Sequence, residues 1–296
     1  MLKAWFCVLC LIGCAGSTPT AAAPHEQTKA PTLTYLGVAG WSLNTGKQTV
    51  LFDPYVTRAP VFDDDMVLVP DAAAIGRFIP ERAQLIVVSH SHYDHVLDVP
   101  AIAHRTGAVV FGTSSTVELA RAASVPEKQL AVASGGEELL FDDLRVRAVR
   151  ALHSDIGMGN FPIAPHPQLP LKARDYREGN TLQYVVQFQG HTLYFVGTAN
   201  FIEEQLHGIH ADVAIVATGM RHKVADYTCR LLRAIGMPKL VLANHFDAFQ
   251  EPLRPGEMQL RADTQADLAA FAAEVHACAP STRVVVPRWL EPIPVD

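Results

Sequence analysis

The sequence predicts an α/β fold, and three observations carry that reading. Short apolar runs alternate with helix-like stretches, as at 85–88, 96–105, 108–111 and 116–123. At 296 residues the chain is long enough for one large α/β domain or two modest ones. Histidines and aspartates stand directly behind several apolar runs, where a rigid frame hands functional groups to its loops. Hydrophobic residues make up 49% and charged residues 18%, an ordinary balance for a well-cored globular protein. The formal net charge of -6 and the lack of a basic run argue against nucleic acid as a partner. There is no internal repeat and no heptad array.

Met1-Leu2-Lys3 is a short basic start, and 4–12 is an apolar segment too short to span a membrane stably. Leu11-Ile12-Gly13-Cys14 resembles the bacterial lipobox, whose cysteine is lipidated and becomes the mature N-terminus. The alternative is an ordinary secretory signal cut further on, after Ala21-Ala22-Ala23. The expected organisation is a signal peptide at 1–13, a flexible Ser/Thr/Ala/Pro-rich tether at 14–31 and one folded body at 32–296. The chain would then sit in the cell envelope, facing the periplasm, held to the outer or inner membrane through a lipid on Cys14. Cys7, Cys10 and Cys14 lie in this segment, which leaves Cys229 and Cys278 in the body. Those two form either a disulfide in an oxidising compartment or two buried free thiols, and neither has a catalytic context.

The body opens with a strand at 33–37, turn residues up to Gly46, and a second strand at 48–52 that Pro54 stops, leaving Asp53 at its tip. Residues 60–70 form an acidic, proline-bounded loop; Asp63-Asp64-Asp65 lacks the spacing of a calcium loop. The apolar run 85–88 reads as a buried strand. It ends in Ser89-His90-Ser91-His92-Tyr93-Asp94-His95, three imidazoles and a carboxylate on a strand-to-helix loop. His90 and His92 are two apart and point the same way in an extended segment. Neutral imidazoles and a carboxylate, with no thiolate nearby, are the donors of a zinc-type site.

A helix at 96–105 follows, then a strand at 108–111 and a helix at 116–123 that Thr113-Ser114-Ser115 can cap. Short strands are expected at 130–133 and 138–141, and an alternating half-buried strand at 144–149. That strand runs out into His153-Ser154-Asp155. Residues 157–179 show no periodicity and hold several prolines and basic residues, the composition of either a binding loop for an anion or a solvated face. Gln189-Gly190 joins a hairpin of 181–188 and 191–196, which leads into Gly197-Thr198. A short helix at 201–207, a strand at 211–216, a helix at 227–235, a strand at 239–244, a helix at 262–277 and a closing strand at 283–287 complete the chain. Arg221 and His222, on the polar loop after the 211–216 strand, are candidate substrate-binding residues. The 239–244 strand ends at His245.

His90-Ser91-His92-Tyr93-Asp94-His95 resembles the H-x-H-x-D-H signature of the metallo-β-lactamase superfamily. The resemblance implies a four-layer αββα sandwich and a two-metal hydrolase using metal-activated water. It implies one metal on His90, His92 and His153 and a second on Asp94, His95 and His245, with Asp94 and His95 central to catalysis. It also implies that Asp53 supports the ligand loop by accepting an N–H from a ligand histidine. The ions would be Zn2+, one or two, with Mn2+ or Fe2+ as alternatives.

The chain departs from the pattern at Thr198, which stands where the family has a metal-bridging aspartate; a neutral hydroxyl cannot supply that charge. Carboxylates such as Glu203, Asp155 and Asp247 are candidates to substitute for it. The Phe52-Asp53-Pro54 turn and the late His245 resemble the branch that contains ascorbate-phosphate lactonase and the N-acyl-phosphatidylethanolamine phospholipases. A small-molecule or lipid substrate carrying a lactone, ester or phosphodiester is therefore expected. The rival reading is a lipid-anchored metal-binding or interaction protein whose catalysis is weakened or lost through Thr198.

Overall fold

The computed structural model describes residues 30–157, 159–256 and 258–295. The expected signal peptide, the lipid site at Cys14 and nearly all of the tether lie outside these residues. The first half of the chain builds one seven-stranded sheet from β1 (Thr32–Gly37), β2 (Gly40–Asn44), β3 (Thr49–Phe52), β4 (Leu85–Val87), β5 (Val109–Gly112) and β6 (Leu130–Val132). The second half builds another from β7 (Glu138–Phe141), β8 (Leu144–Ala151), β9 (Thr181–Phe188), β10 (His191–Phe195), β11 (Val213–Ala217), β12 (Leu240–Asn244) and β13 (Arg283–Val285). β14 (Pro292–Pro294) returns to the first sheet and pairs antiparallel with β1. Each sheet is mixed. β3 to β6 are parallel to one another, as are β10 to β13, while the remaining neighbours run antiparallel.

The sheets pack face to face. The Phe52 and Phe195 rings meet at 4.9 Å between centroids, and Tyr184 Oη crosses the interface to donate to Val88 O at 2.8 Å. Residue alternation explains the long apolar runs of the second half. Leu193, Phe195, Val213, Ile215, Leu240 and Leu242 enter the core between the sheets. Their neighbours Tyr194, Ala214, Val216, Val241 and Ala243 face a second core under the helices. A sheet buried on both faces needs apolar residues on both. α1 (Ala72–Phe78), α3 (Val99–Thr106) and α4 (Ser114–Ala122) cover the first sheet, and α5 (Tyr227–Ala234) and α6 (Ala262–Cys278) the second. The result is the expected four-layer αββα sandwich.

Several elements differ from expectation. The helix expected at 96–105 is two: α2 (Tyr93–Val96), which carries Asp94 and His95, and then α3. Pro100 sits in the first turn of α3, where a proline belongs, and Asp98 turns its carboxylate away to accept Val56 N–H and Thr57 N–H. The 201–207 segment is a 3-10 turn at Glu203–Leu206. β2, α1 and β14 had no clear period in the sequence because each is short. Cys229 and Cys278 form a disulfide that ties α5 to α6. No helix among the described residues is long and apolar enough to cross a membrane.

Candidate metal centre

Functional side chains gather at the carboxyl ends of the parallel strands, the edge where open α/β sheets commonly bind ligands. β3 ends at Asp53, β4 runs into His90, His92, Asp94 and His95, β8 into His153, β10 into Thr198, and β12 into His245. The structure brings all six expected ligands together as two triads, His90–His92–His153 and Asp94–His95–His245, with the donor atoms of each triad within 4.8 Å of one another.

The donor atoms fit a metal. His90 Nε2 lies 3.0 Å from His92 Nδ1 and 3.1 Å from His153 Nε2. His95 Nε2 lies 3.2 Å from His245 Nε2, and Asp94 Oδ2 is 3.4 Å from each of those two nitrogens. Ligands on a tetrahedral ion at zinc–nitrogen bond lengths would be about 3.3 Å apart. The opposite faces of the imidazoles settle where their protons sit. His153 Nδ1 donates to Ser154 O at 2.7 Å, and His95 Nδ1 faces Asp53 Oδ2 at 2.7 Å. Ser89 Oγ donates to Asp53 Oδ2 at 2.5 Å and is left to accept from His90 Nδ1 at 3.0 Å. These partners hold protons on Nδ1 and turn the Nε2 lone pairs of His90, His95 and His153 inward. Lone pairs crowded at 3.1–3.2 Å repel unless a cation lies between them.

Electrostatics agree. Burial, reinforced by neighbouring imidazoles, drives the pKa of His90 well down and those of His92 and His153 to about 4, so all three are neutral donors at pH 7. His95 differs: burial pulls its pKa down, but Asp94 and Asp53 outweigh that and carry it up to about 10, so an ion on this triad has to displace a proton from the ring. For Asp94, burial opposes ionisation, yet His95 and His245 hold its pKa well below the usual carboxylate range.

Asp53 has the expected supporting place and more. It also accepts Ser89 N–H at 2.6 Å, and its backbone is left-handed at φ +37°. Ser89 was missed as a functional residue; its one signal was its place between the strand and the first histidine. Gly197 was missed too. A Cβ there would stand 2.6 Å from Asp53 Oδ2, so β10 can approach this network only with a glycine at that position.

Thr198 faces the same cavity, with Oγ1 2.8 Å from Ser154 Oγ and accepting Ser154 N–H at 3.2 Å. None of the carboxylates suggested as substitutes takes over the bridge. Asp247 is engaged by four donors, Glu203 pairs with Arg230, and Asp155 is exposed and caps Gly157 N–H.

Arg221 and His222 are not brought to the cavity. Arg221 is buried against α6, its guanidinium bound by Asp267 and Glu274, and His222 is exposed outside the lining. The cavity over the two triads holds about 800 Å³.

The comparisons point the same way. Residues 48–246 match the family model described as a beta-lactamase superfamily domain. A UPF0173 metal-dependent hydrolase of Polynucleobacter asymbioticus is 25% identical over 82% of this chain and 82% of its own length. A second, from Myxococcus xanthus, is 27% identical over 71% of this chain and 64% of its own length. The structure of a metallo hydrolase from the archaeon Ignicoccus hospitalis superposes with a TM-score of 0.57 at 20% identity, over 90% of this chain and 98% of that one.

Proposed function

The chain belongs to the metallo-β-lactamase superfamily and is a metal-dependent hydrolase; from that premise we propose that it cleaves a lactone, carboxylic ester or phosphodiester at the paired triads. The observation that carries the reading is the convergence of two three-donor sets on one cavity. Divalent ions bound there supply Lewis acidity and bring the pKa of water towards neutrality. The protein does the rest. Asp53 and Ser89 fix the tautomers of His95 and His90, Ser154 O fixes that of His153, and burial keeps the first triad uncharged. Asp94 is the sole anionic ligand among the six, and Thr198 adds no charge beside it. The histidine triad offers an ion three neutral rings, whereas an ion on the Asp94 triad must displace the His95 proton and has no second carboxylate to help it; the second ion is therefore the weaker, zinc being the best match to these donors.

The Cys229–Cys278 disulfide supports an oxidising compartment, in keeping with export and an anchor at Cys14 in the cell envelope. The test is elemental analysis of the natively expressed protein, then turnover of simple lactones, p-nitrophenyl esters and bis-p-nitrophenyl phosphate. Bound metal with turnover lost on chelation and on His92→Ala is expected. A metal-replete protein inert on every class would instead favour the non-catalytic metal-binding reading that Thr198 raises.

A further inference from the structure

The cavity beyond the metal ligands has a chemistry of its own. Its walls carry Val61, Tyr93, Ile156, Tyr176, Met220 and Phe249. Phe249 packs edge-on against the His245 ring, at 5.0 Å between centroids, so the apolar surface begins directly at the ligands. Among the described residues the one lysine or arginine in the lining is Arg174, and its guanidinium lies 2.8 Å from the carboxylate of Asp65, which Lys172 also binds. The other charged residues there are acids. Asp247 is paired with the buried Arg58, Asp263 with Arg261, Asp267 with the buried Arg221, and Asp64 is exposed. An anionic group placed beyond the reacting bond would meet these acids and one already paired cation. An apolar group would bury surface against the aromatic walls.

We propose that the part of the substrate beyond the scissile bond is uncharged and apolar, a medium-length acyl or aryl group, so that the enzyme prefers neutral lipophilic esters or lactones to anionic ones. This rests on the hydrolase reading above. Hydrolysis is balanced by water: the acyl carbon–oxygen bond breaks, water's oxygen bonds to the acyl carbon, and its two hydrogens pass to the alcohol and the acid.

The metal-loaded full chain is assayed on p-nitrophenyl acetate, octanoate, a carboxylate-ended hexanoate and an ammonium-ended hexanoate, and binding of the neutral fluorophore N-phenyl-1-naphthylamine is titrated separately. The expected results are kcat/KM at least about tenfold higher for octanoate than acetate, and lower for both charged chains than for octanoate. The fluorophore should bind, and Val61→Asp and Ile156→Asp should weaken it several-fold while bringing the octanoate-to-acetate ratio towards one. Ester turnover without a chain-length preference, a preference for either charged chain, or no fluorophore binding overturns the proposal and leaves the hydrolase reading standing. Fluorophore binding that both substitutions weaken, with no turnover of any ester, supports the apolar cavity and removes the ester chemistry.

Discussion

Asp53 shows how one carboxylate can govern several ligands. It accepts from Ser89 N–H, Ser89 Oγ and His95 Nδ1 while held at a positive φ. Asp53→Asn keeps the size and one acceptor but loses the charge that orients His95. Metal affinity should fall about 10–100-fold, measured by competition with a chelator; an unchanged affinity would show that His95 needs no such partner. Thr198→Asp should do the reverse at the second site. It puts a negative charge into the wall of the cavity that both triads share and can still accept from Ser154 N–H. Calorimetric titration of the metal-free protein should show the second equivalent binding about tenfold tighter or more, and an identical isotherm would mean Thr198 does not stand where the bridge belongs. Residues of this kind were legible in the sequence where residue type alone announces chemistry, as in the histidine cluster. Ser89 and Gly197 were not, because their roles depend on the ends of β4 and β10, strands of different sheets, meeting across the sandwich.

At the scale of elements, the loop after β12 is clamped rather than merely placed. Asn244 accepts Trp41 Nε1–H at 2.9 Å and donates to Val196 O at 3.0 Å, and His245 N–H reaches Val38 O at 2.8 Å. Two residues on, Asp247 accepts from Tyr35 Oη, Val38 N, Arg58 Nη2 and Trp289 Nε1 at 2.7–2.8 Å. Asp247→Ala would leave Arg58 buried without its charge and should destabilise the fold by about 3–5 kcal/mol, with Asp247→Asn milder; urea denaturation measures both. The turn between β6 and β7 offers a pH test. Partial burial raises the pKa of Glu137, but hydrogen bonds from Ser134 and Gly135 outweigh it and hold it at about 2. A folded pKa below the unfolded one gives stability that is complete above about pH 4.5 and is lost as pH falls towards 2. Glu137→Gln should lose that advantage at pH 6 and close the gap to wild type near pH 2. Long strands and helices were readable because period and length agree. The break between α2 and α3 was not, because Asp98 serves residues 56 and 57, far away in sequence.

For the molecule as a whole, the disulfide joins α5 to α6 across the intervening β12, closing a loop of 49 residues. Replacing both cysteines by serine should cost about 2–4 kcal/mol, read as a lower denaturation midpoint, and adding a reductant to the wild type should reproduce most of it. The layered architecture was legible from alternating runs, but the return of β14 to β1 was not, since Pro292 and Pro294 read as loop. That return has a consequence for orientation. β1 runs in the same direction as β3, because each is antiparallel to β2. The metal ligands gather where β3 ends, so Thr32, where β1 begins, lies about 20 Å away at the opposite pole, with Pro294 beside it. An attachment made at either Thr32 or Pro294 is therefore made at the pole opposite the ligands, so it need not obstruct the cavity.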